Sequence, residues 1–141
     1  MSLVVTPVTT SDEMQQAMAL RRKKDPHDNE PSTIHFVGKD SETIFAQYVA
    51  VARCLLDELN RKAKFGHVAV LAECRGKNFG AQLMDAIEKH VRDHVDMFAL
   101  SSQYGRKGFY EKCGYSCISD ETYLEEGIEH CYMVKPATET D

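Results

Sequence analysis

Residues 68–81 read Val-Ala-Val-Leu-Ala-Glu-Cys-Arg-Gly-Lys-Asn-Phe-Gly-Ala, and this stretch determines the fold more than any other. An apolar strand runs into a basic turn that contains glycine, and the turn opens a helix. Such a junction directs several backbone N–H groups and the positive end of a helix dipole at one place. A phosphate or pyrophosphate suits that place, so the stretch predicts a nucleotide-like cofactor held at residues 75–81.

Downstream of the turn, apolar residues recur every four positions from Asn78 to about Val95, which predicts a long amphipathic helix. The predicted core face holds Phe79, Leu83, Met84, Ile87, Val91 and Val95. The predicted solvent face holds Asp85, Glu88, Lys89 and Arg92. Upstream, Gly66 to Leu71 is apolar throughout and predicts a central strand.

The first half of the chain predicts one helix and three further strands. Thr10 and Glu13 form a capping box that begins a helix reaching about Arg22. A polar loop over 23–32 follows, of a length that often borders a binding site. The strands are expected at 3–8, 33–37 and 44–56, with a turn at 38–41 and a charged connection over 57–64.

The last third predicts strands at 97–101, 115–118 and 130–134 and a short helix over 106–113 that Gly114 ends. Residues 136–141 are polar and predict a frayed tail. Without repeats or a linker, the chain is expected to form one α+β domain over residues 1–135. Its sheet is expected to be mixed and mostly antiparallel.

Composition excludes several classes of protein. A net charge of −5 over 141 residues argues against a general nucleic-acid binder. No apolar run is long enough to span a membrane, and an odd number of cysteines without a CxxC pair argues against a disulfide framework. A cytoplasmic protein is expected.

No metal is predicted, because His90 and His94 lack a third ligand at a motif spacing and Cys113 and Cys117 lack a second pair.

Three blocks resemble motifs of the GNAT superfamily of acetyl-CoA-dependent N-acetyltransferases. The first is Arg75 to Gly80, similar to that family's phosphate loop, although Asn78 stands where glycine is usual. The second is Phe109-Tyr110-Glu111-Lys112-Cys113-Gly114-Tyr115. The third is Tyr123 to His130 followed by Met133. This third block resembles the ending of the ElaA/YjcF-like branch. Members of that branch also carry an Ala-Arg pair, here Ala52-Arg53, and a glutamine at the position of Gln103. The resemblance implies a GNAT-like α/β/α sandwich.

The resemblance also implies roles for particular residues. Backbone N–H groups of Gly76, Asn78, Phe79, Gly80 and Ala81 would cradle the pyrophosphate of acetyl-CoA, and Arg75 and Lys77 would add charge. Val68, Ala69 and Val70 would pair with the pantetheine arm, and Gln103 would anchor it. A backbone N–H near Val70 or Leu71 would face the developing oxyanion. Tyr110 would be the general acid, since a phenol stays protonated at neutral pH and can protonate a thiolate.

The general base stays open on the sequence alone. A primary amine is mostly charged at neutral pH and must lose a proton before it attacks. Glu73, His67 and His130 are candidates by strand position, and their spacing selects none of them.

The sequence therefore predicts an N-acetyltransferase that moves an acetyl group from acetyl-CoA to a primary amine of a small molecule or peptide by direct attack. One alternative is an amino-sugar phosphate N-acetyltransferase. Another is a non-catalytic acyl-CoA-binding sensor, which Asn78 and the missing base would favour. A third alternative is a structural dimerisation module, because many proteins that the chain resembles form homodimers through their C-terminal strands, here residues 123–133. The sequence itself does not select an oligomeric state.

Overall fold

A computed structural model describes residues 2–21, 25–42 and 47–138. Its strands are β1 (Leu3–Pro7), β2 (Thr33–Asp40), β3 (Tyr48–Asp57), β4 (Lys62–Val70), β5 (Met97–Gln103), β6 (Ser116–Cys117), β7 (Tyr123–Glu125) and β8 (Ile128–Pro136). Its α-helices are α1 (Ser11–Leu20), α2 (Phe79–Val91) and α3 (Lys107–Lys112). The parts of the predicted elements at 22–24, 44–46 and 139–141 lie outside the described residues.

The strands form one sheet in the order β1-β2-β3-β4-β5-β8-β6, with β7 paired to β8. Among the strands of the described residues, only the β4–β5 pair is parallel and every other pair is antiparallel. The predicted mixed, mostly antiparallel sheet is therefore confirmed. The strand that precedes the phosphate-type turn, β4, is central as predicted.

The sheet has a helix on each face, and β3 shows the layering most clearly. Ala50, Ala52 and Cys54 point into the core beneath α2, whereas Val51 between them packs with Ala17 of α1. Alternate side chains of a strand face opposite sides of a sheet, so β3 contributes to both layers. The α+β class and the three-layer sandwich are both confirmed.

The predicted start of α1 is confirmed at Thr10. The Thr10 hydroxyl accepts from the backbone N–H of Glu13 at 3.1 Å, and the Glu13 carboxylate accepts from the backbone N–H of Thr10 at 3.1 Å. This reciprocal pair satisfies two N–H groups that a helix start leaves without partners. Gly114, in the left-handed region with φ +100°, follows α3 as expected.

The apolar face of α2 is confirmed, but the prediction that Glu88 faces solvent is wrong. Its side chain is only 1% exposed, and it accepts from the hydroxyl of Tyr115 at 2.8 Å and from the ammonium of Lys135 at 2.7 Å. Glu88 follows Ile87, at the edge of the apolar face. A buried carboxylate needs hydrogen-bond donors in place of water, and Tyr115 and Lys135 supply them here. Glu88 thus ties α2 to β8 and to the segment after α3.

The predicted charged connection over 57–64 is wrong at its end, since β4 begins at Lys62. Lys62 and Lys64 alternate with the buried residues Ala63 and Phe65. The two ammonium groups lie over the ring of Tyr132, at 5.3 and 5.8 Å from its centre. Long lysine stems cover apolar surface while their charges stay near water, so two lysines are compatible with a strand.

Three further boundaries differ from prediction. The turn expected at 38–41 begins later, because β2 continues through Gly38 to Asp40. A hairpin unites β7 and β8 through Glu126 and Gly127, which adopt φ of +54° and +79°. No strand was predicted at β7. Ala137 is buried and its N–H donates to the carbonyl of Asp96 at 3.0 Å, so chain packing continues past residue 135.

No helix in the described ranges is long and apolar enough to cross a membrane.

Candidate functional site

The sheet opens between β4 and β5. The two parallel strands pair from Lys62↔Met97 to Phe65↔Leu100 and not beyond. From there β4 continues to Val70 and β5 continues to Gln103 without being paired to each other. The last residues of β4 therefore present an open edge next to a gap in the sheet. An open edge offers hydrogen bonds to an extended ligand, as to an added strand.

The direction of the backbone groups on this edge follows from one hydrogen bond. The N–H of Leu71 donates to the carbonyl of Val49 on β3 at 2.8 Å. Backbone groups alternate sides along a strand, so Val70 directs its N–H and carbonyl groups away from β3 and toward the gap. Two N–H groups were expected as possible donors to an oxyanion. That of Leu71 is already bonded within the sheet, so the N–H of Val70 is the remaining candidate.

The turn after β4 combines two residues in the left-handed region. Gly76 has φ +87° and Asn78, the N-cap of α2, has φ +65°. Asn tolerates this conformation better than most residues with a side chain, which accounts for Asn78 where glycine is usual. Within the described chain, no group accepts from the backbone N–H groups of residues 76–81. These donors are left for solvent or for a ligand.

The helix α3 forms the wall opposite the turn. Tyr110 is half-buried, and its ring meets those of Phe109 and Tyr115 with centres 5.0 and 6.2 Å apart. Burial raises the pKa of the Tyr110 phenol above its ordinary value. The hydroxyl therefore keeps its proton at neutral pH. Gly80 in the first turn of α2 meets this wall so closely that a Cβ there would lie 3.0 Å from the ring of Phe109.

The open edge, the turn and α3 enclose one groove of about 810 Å³. It is lined by Val68, Ala69, Val70, Cys74, Arg75, Gly76, Asn78, Phe79, Gly80, Ala81, Gly105, Arg106, Gly108, Phe109 and Tyr110. The sequence-predicted cofactor residues and the predicted general acid are thus brought to one cavity, with the exception of Lys77 and Gln103.

Lys77 and Gln103 lie elsewhere. The ammonium of Lys77 is 3.6 Å from the carboxylate of Asp40, whose side chain is 4% exposed. This contact holds the turn against the end of β2 rather than placing charge in the groove. Gln103 ends β5 and is paired with His130 of β8.

Arg106 is the most consequential groove residue that the sequence did not single out. It precedes α3 and lines the same cavity as Arg75, and both side chains are exposed. Within the described chain no carboxylate lies within ion-pair distance of either guanidinium. The groove therefore carries two cations beside the free N–H groups of the turn, which favours an anionic ligand. The basic residue next to the Phe-Tyr block was the available signal.

In the described part of the chain, no three His, Cys, Asp or Glu side chains converge to hold a metal ion. His90 and His94 are both exposed, as expected.

Comparison with known proteins agrees with this geometry. Residues 12–137 match the acetyltransferase (GNAT) domain family, so the chain belongs to that family of acetyltransferases. A Bacillus subtilis (strain 168) protein named as an acetyltransferase is 28% identical over 129 residues, covering 89% of this chain and 87% of that protein.

Two further similarities agree with the resemblance to the ElaA/YjcF-like branch that the sequence motifs indicated. YjcF of Bacillus subtilis, named as an N-acetyltransferase, is 34% identical over 73 residues, or 51% of this chain and 52% of YjcF. The crystal structure of Escherichia coli ElaA superposes with a TM-score of 0.75 at 21% identity, covering 95% of this chain and 99% of ElaA. The resemblance to the ElaA/YjcF-like branch is confirmed.

Proposed function

We propose that this protein transfers an acetyl group from acetyl-CoA to a primary amine of a small molecule or peptide. The observation that carries the proposal is the groove itself. It unites an open strand edge, a cradle of unpartnered N–H groups and a half-buried tyrosine. Bound acetyl-CoA supplies the acetyl thioester. The residues of the groove bind the coenzyme, orient the thioester and protonate the departing sulfur.

The residues of the turn fit a pyrophosphate. The free N–H groups of residues 76–81 lie in the turn and in the first residues of a 13-residue helix. Arg75 and Arg106 add charge-assisted contacts from two sides. Backbone donors at a helix start and paired arginines are the usual means of holding phosphate. Lys77 contributes indirectly, by holding the turn to Asp40.

The open edge of β4 fits the arm of the coenzyme. Val70 directs its N–H and carbonyl groups into the gap, and a pantetheine arm carries amides that match them. The N–H of Val70 then stabilises the charge that develops on the thioester oxygen. Tyr110 gives its proton to the departing sulfur.

The test combines binding and turnover. Tyr110→Phe should lower kcat about 100-fold or more in a mass-spectrometric assay of amines with acetyl-CoA, because a proton donor to the leaving sulfur is lost. Its calorimetric affinity for coenzyme A should stay within about twofold, because the phosphate cradle is unchanged. Tyr104→Phe, an exposed neighbour outside the groove, is the matched control and should keep full activity.

Two outcomes would contradict the proposal. Equal turnover by the wild type and by Tyr110→Phe would remove Tyr110 as the general acid. Tight binding of acetyl-CoA without acetylation of any amine in a broad panel would favour the non-catalytic sensor.

A further inference from the structure

The strand β4 contains one extra residue where the sheet begins to open. Against β3 the register runs Val51↔Ala69 and then Arg53↔Gly66, so a bulge lies between these pairs. His67 is the bulged residue, with φ +50°. Such a conformation costs free energy in a residue with a side chain, and bulges often re-aim a side chain next to a functional site.

The bulge turns His67 toward the layer of α1. Gly66 lies opposite Arg53, and a Cβ on it would be 3.8 Å from the Arg53 guanidinium. The Nε2 atom of His67 reaches the same layer, 3.6 Å from a carboxylate oxygen of Asp25. His67 directly precedes the groove-lining segment 68–70 and comes two residues after the last β4–β5 pair. Its side chain is 24% exposed. It therefore lies on the sheet face opposite to α2, next in sequence to the residues of β4 that line the groove.

Asp25 is fixed in its position. One of its oxygens accepts from the backbone N–H of His27 at 2.8 Å and lies 3.2 Å from the Arg53 guanidinium. The other oxygen faces His67 Nε2. A carboxylate on one ring nitrogen orients the imidazole and stabilises its charged form, which leaves the other nitrogen, Nδ1, to accept a proton.

The charges around this pair keep the imidazole neutral before it reacts. They come from α1 and its end, the segment 25–29, β2 and β3, and the groups are Arg21, Asp25, His27, Asp28, His35 and Arg53. Burial lowers the pKa of His67, and Arg21 and Arg53 lower it further, whereas Asp25 opposes them. At neutral pH the ring is therefore free to take up a proton.

The two other sequence candidates are less suitable. Both ring nitrogens of His130 already face acceptors, with Nδ1 2.7 Å from the carbonyl of Ile128 and Nε2 3.6 Å from Glu125. Glu73 is exposed on the short 3₁₀ helix after β4, and among the described residues no hydrogen bond or ion pair orients its carboxylate as Asp25 orients His67.

We propose that His67, oriented by Asp25, is the general base that deprotonates the acceptor ammonium at the mouth of the groove. This assignment rests on the proposed acetyl transfer. The first proton passes from the ammonium to His67 Nδ1, directly or through one water, and then to solvent. The amine nitrogen bonds to the acetyl carbon as the carbon–sulfur bond breaks. Tyr110 protonates the sulfur and recovers the second proton that the nitrogen loses.

The pH dependence of His67→Gln tests the assignment, because glutamine keeps polarity but cannot take the proton. At pH 7 the variant should lose about 100-fold in kcat/KM, the usual contribution of a general base. At about pH 10, where much of the amine is already neutral, the loss should shrink to a few-fold. The acidic limb of the wild-type profile should be absent in the variant, and coenzyme A affinity should stay within twofold.

Matched variants separate this role from a structural one. His130→Gln should keep the acidic limb of the wild type. Asp25→Asn should move that limb to lower pH, because the ring loses its negative neighbour. An equal loss for His67→Gln at pH 7 and pH 10, or no loss at either, would overturn the assignment while acetyl transfer by the wild type still supports the proposed function.

Two results remain to be distinguished. If the wild type binds coenzyme A but acetylates no amine, the proposed function fails and the base assignment fails with it. If His67→Gln does not fold, the ring of His67 is titrated by NMR in the wild type, where its pKa should lie below about 6.5. A value at or above that reference would overturn the assignment.

Discussion

Two backbone conformations shape the turn that we propose holds the pyrophosphate. Gly76 and Asn78 both have positive φ, on either side of Lys77. A Cβ on Gly76 would meet no atom within 4 Å, so only the backbone conformation restricts this position. Asn78 occupies a similar conformation with a side chain that tolerates it. Gly76 and Asn78 therefore allow a comparison of two substitutions in the same backbone conformation.

Gly76→Ala should destabilise the protein by about 1–2 kcal/mol, the cost of a left-handed conformation in a residue with a Cβ. It should also weaken coenzyme A binding, because relief of the strain rotates the N–H groups of the cradle. Asn78→Gly should keep both stability and affinity near the wild type. Urea unfolding and calorimetry measure these effects. An unchanged Gly76→Ala protein would contradict the described conformation of the turn.

The sequence predicted the position of the turn, but not which groups its charged side chains would lie beside. Glycine, the basic residues and the following helical period identify residues 75–81 locally, because turn chemistry is a short-range property. The partner of Lys77 is Asp40, which lies far away in sequence, so no local pattern predicts it. Arg106 likewise joins Arg75 only because the fold brings α3 to the start of α2.

The segment between α1 and β2 is held to the sheet by buried ion pairs. Asp28 lies 2.8 Å from Arg21 and 3.3 Å from Arg53, and all three side chains are nearly buried. The pKa of Asp28 falls to about 2: burial acts to raise it, but hydrogen bonds and charge from the two arginines outweigh burial. This segment also carries Asp25, so its position decides where His67 finds its carboxylate.

Acid should loosen this segment. Because the folded-state pKa of Asp28 is lowered, its stabilisation is fully present above about pH 5 and is lost as pH falls from 5 to 2. Asp28→Asn should therefore be about 2 kcal/mol less stable than the wild type at pH 7. The gap should close near pH 2. Urea unfolding across this range measures the difference, with the exposed Asp120→Asn as control. A gap that persists at pH 2 would contradict the ion-pair account.

Elements were predictable from sequence where a single periodicity governs them. The four-residue spacing of α2 and the capping box of α1 are local signals, and both helices begin where predicted, although α2 ends at Val91 rather than at about Val95. The first residues of β4 were missed because Lys62 and Lys64 suggested a solvated connection. They belong to a strand because Tyr132 of β8 offers a ring for their stems and charges.

The whole molecule is built around an interrupted sheet. The β4–β5 pairing stops at Phe65↔Leu100, and the bulge at His67 follows directly. One strand thereby presents backbone groups to the groove and an imidazole to the opposite layer. The family was readable from motifs in sequence, whereas the bulge depends on strand register, which only the fold fixes. A homodimer, one of the alternatives drawn from the resemblance, stays a prediction.

The most direct test of the account is an NMR titration of the backbone amides with coenzyme A. We expect saturable binding, with the largest shifts in the N–H resonances of residues 76–81 and of Val70. Little change is expected at the opposite end of the sheet, near Arg61 and Asp96. Shifts confined to other surfaces, or no shifts at millimolar coenzyme A, would contradict it.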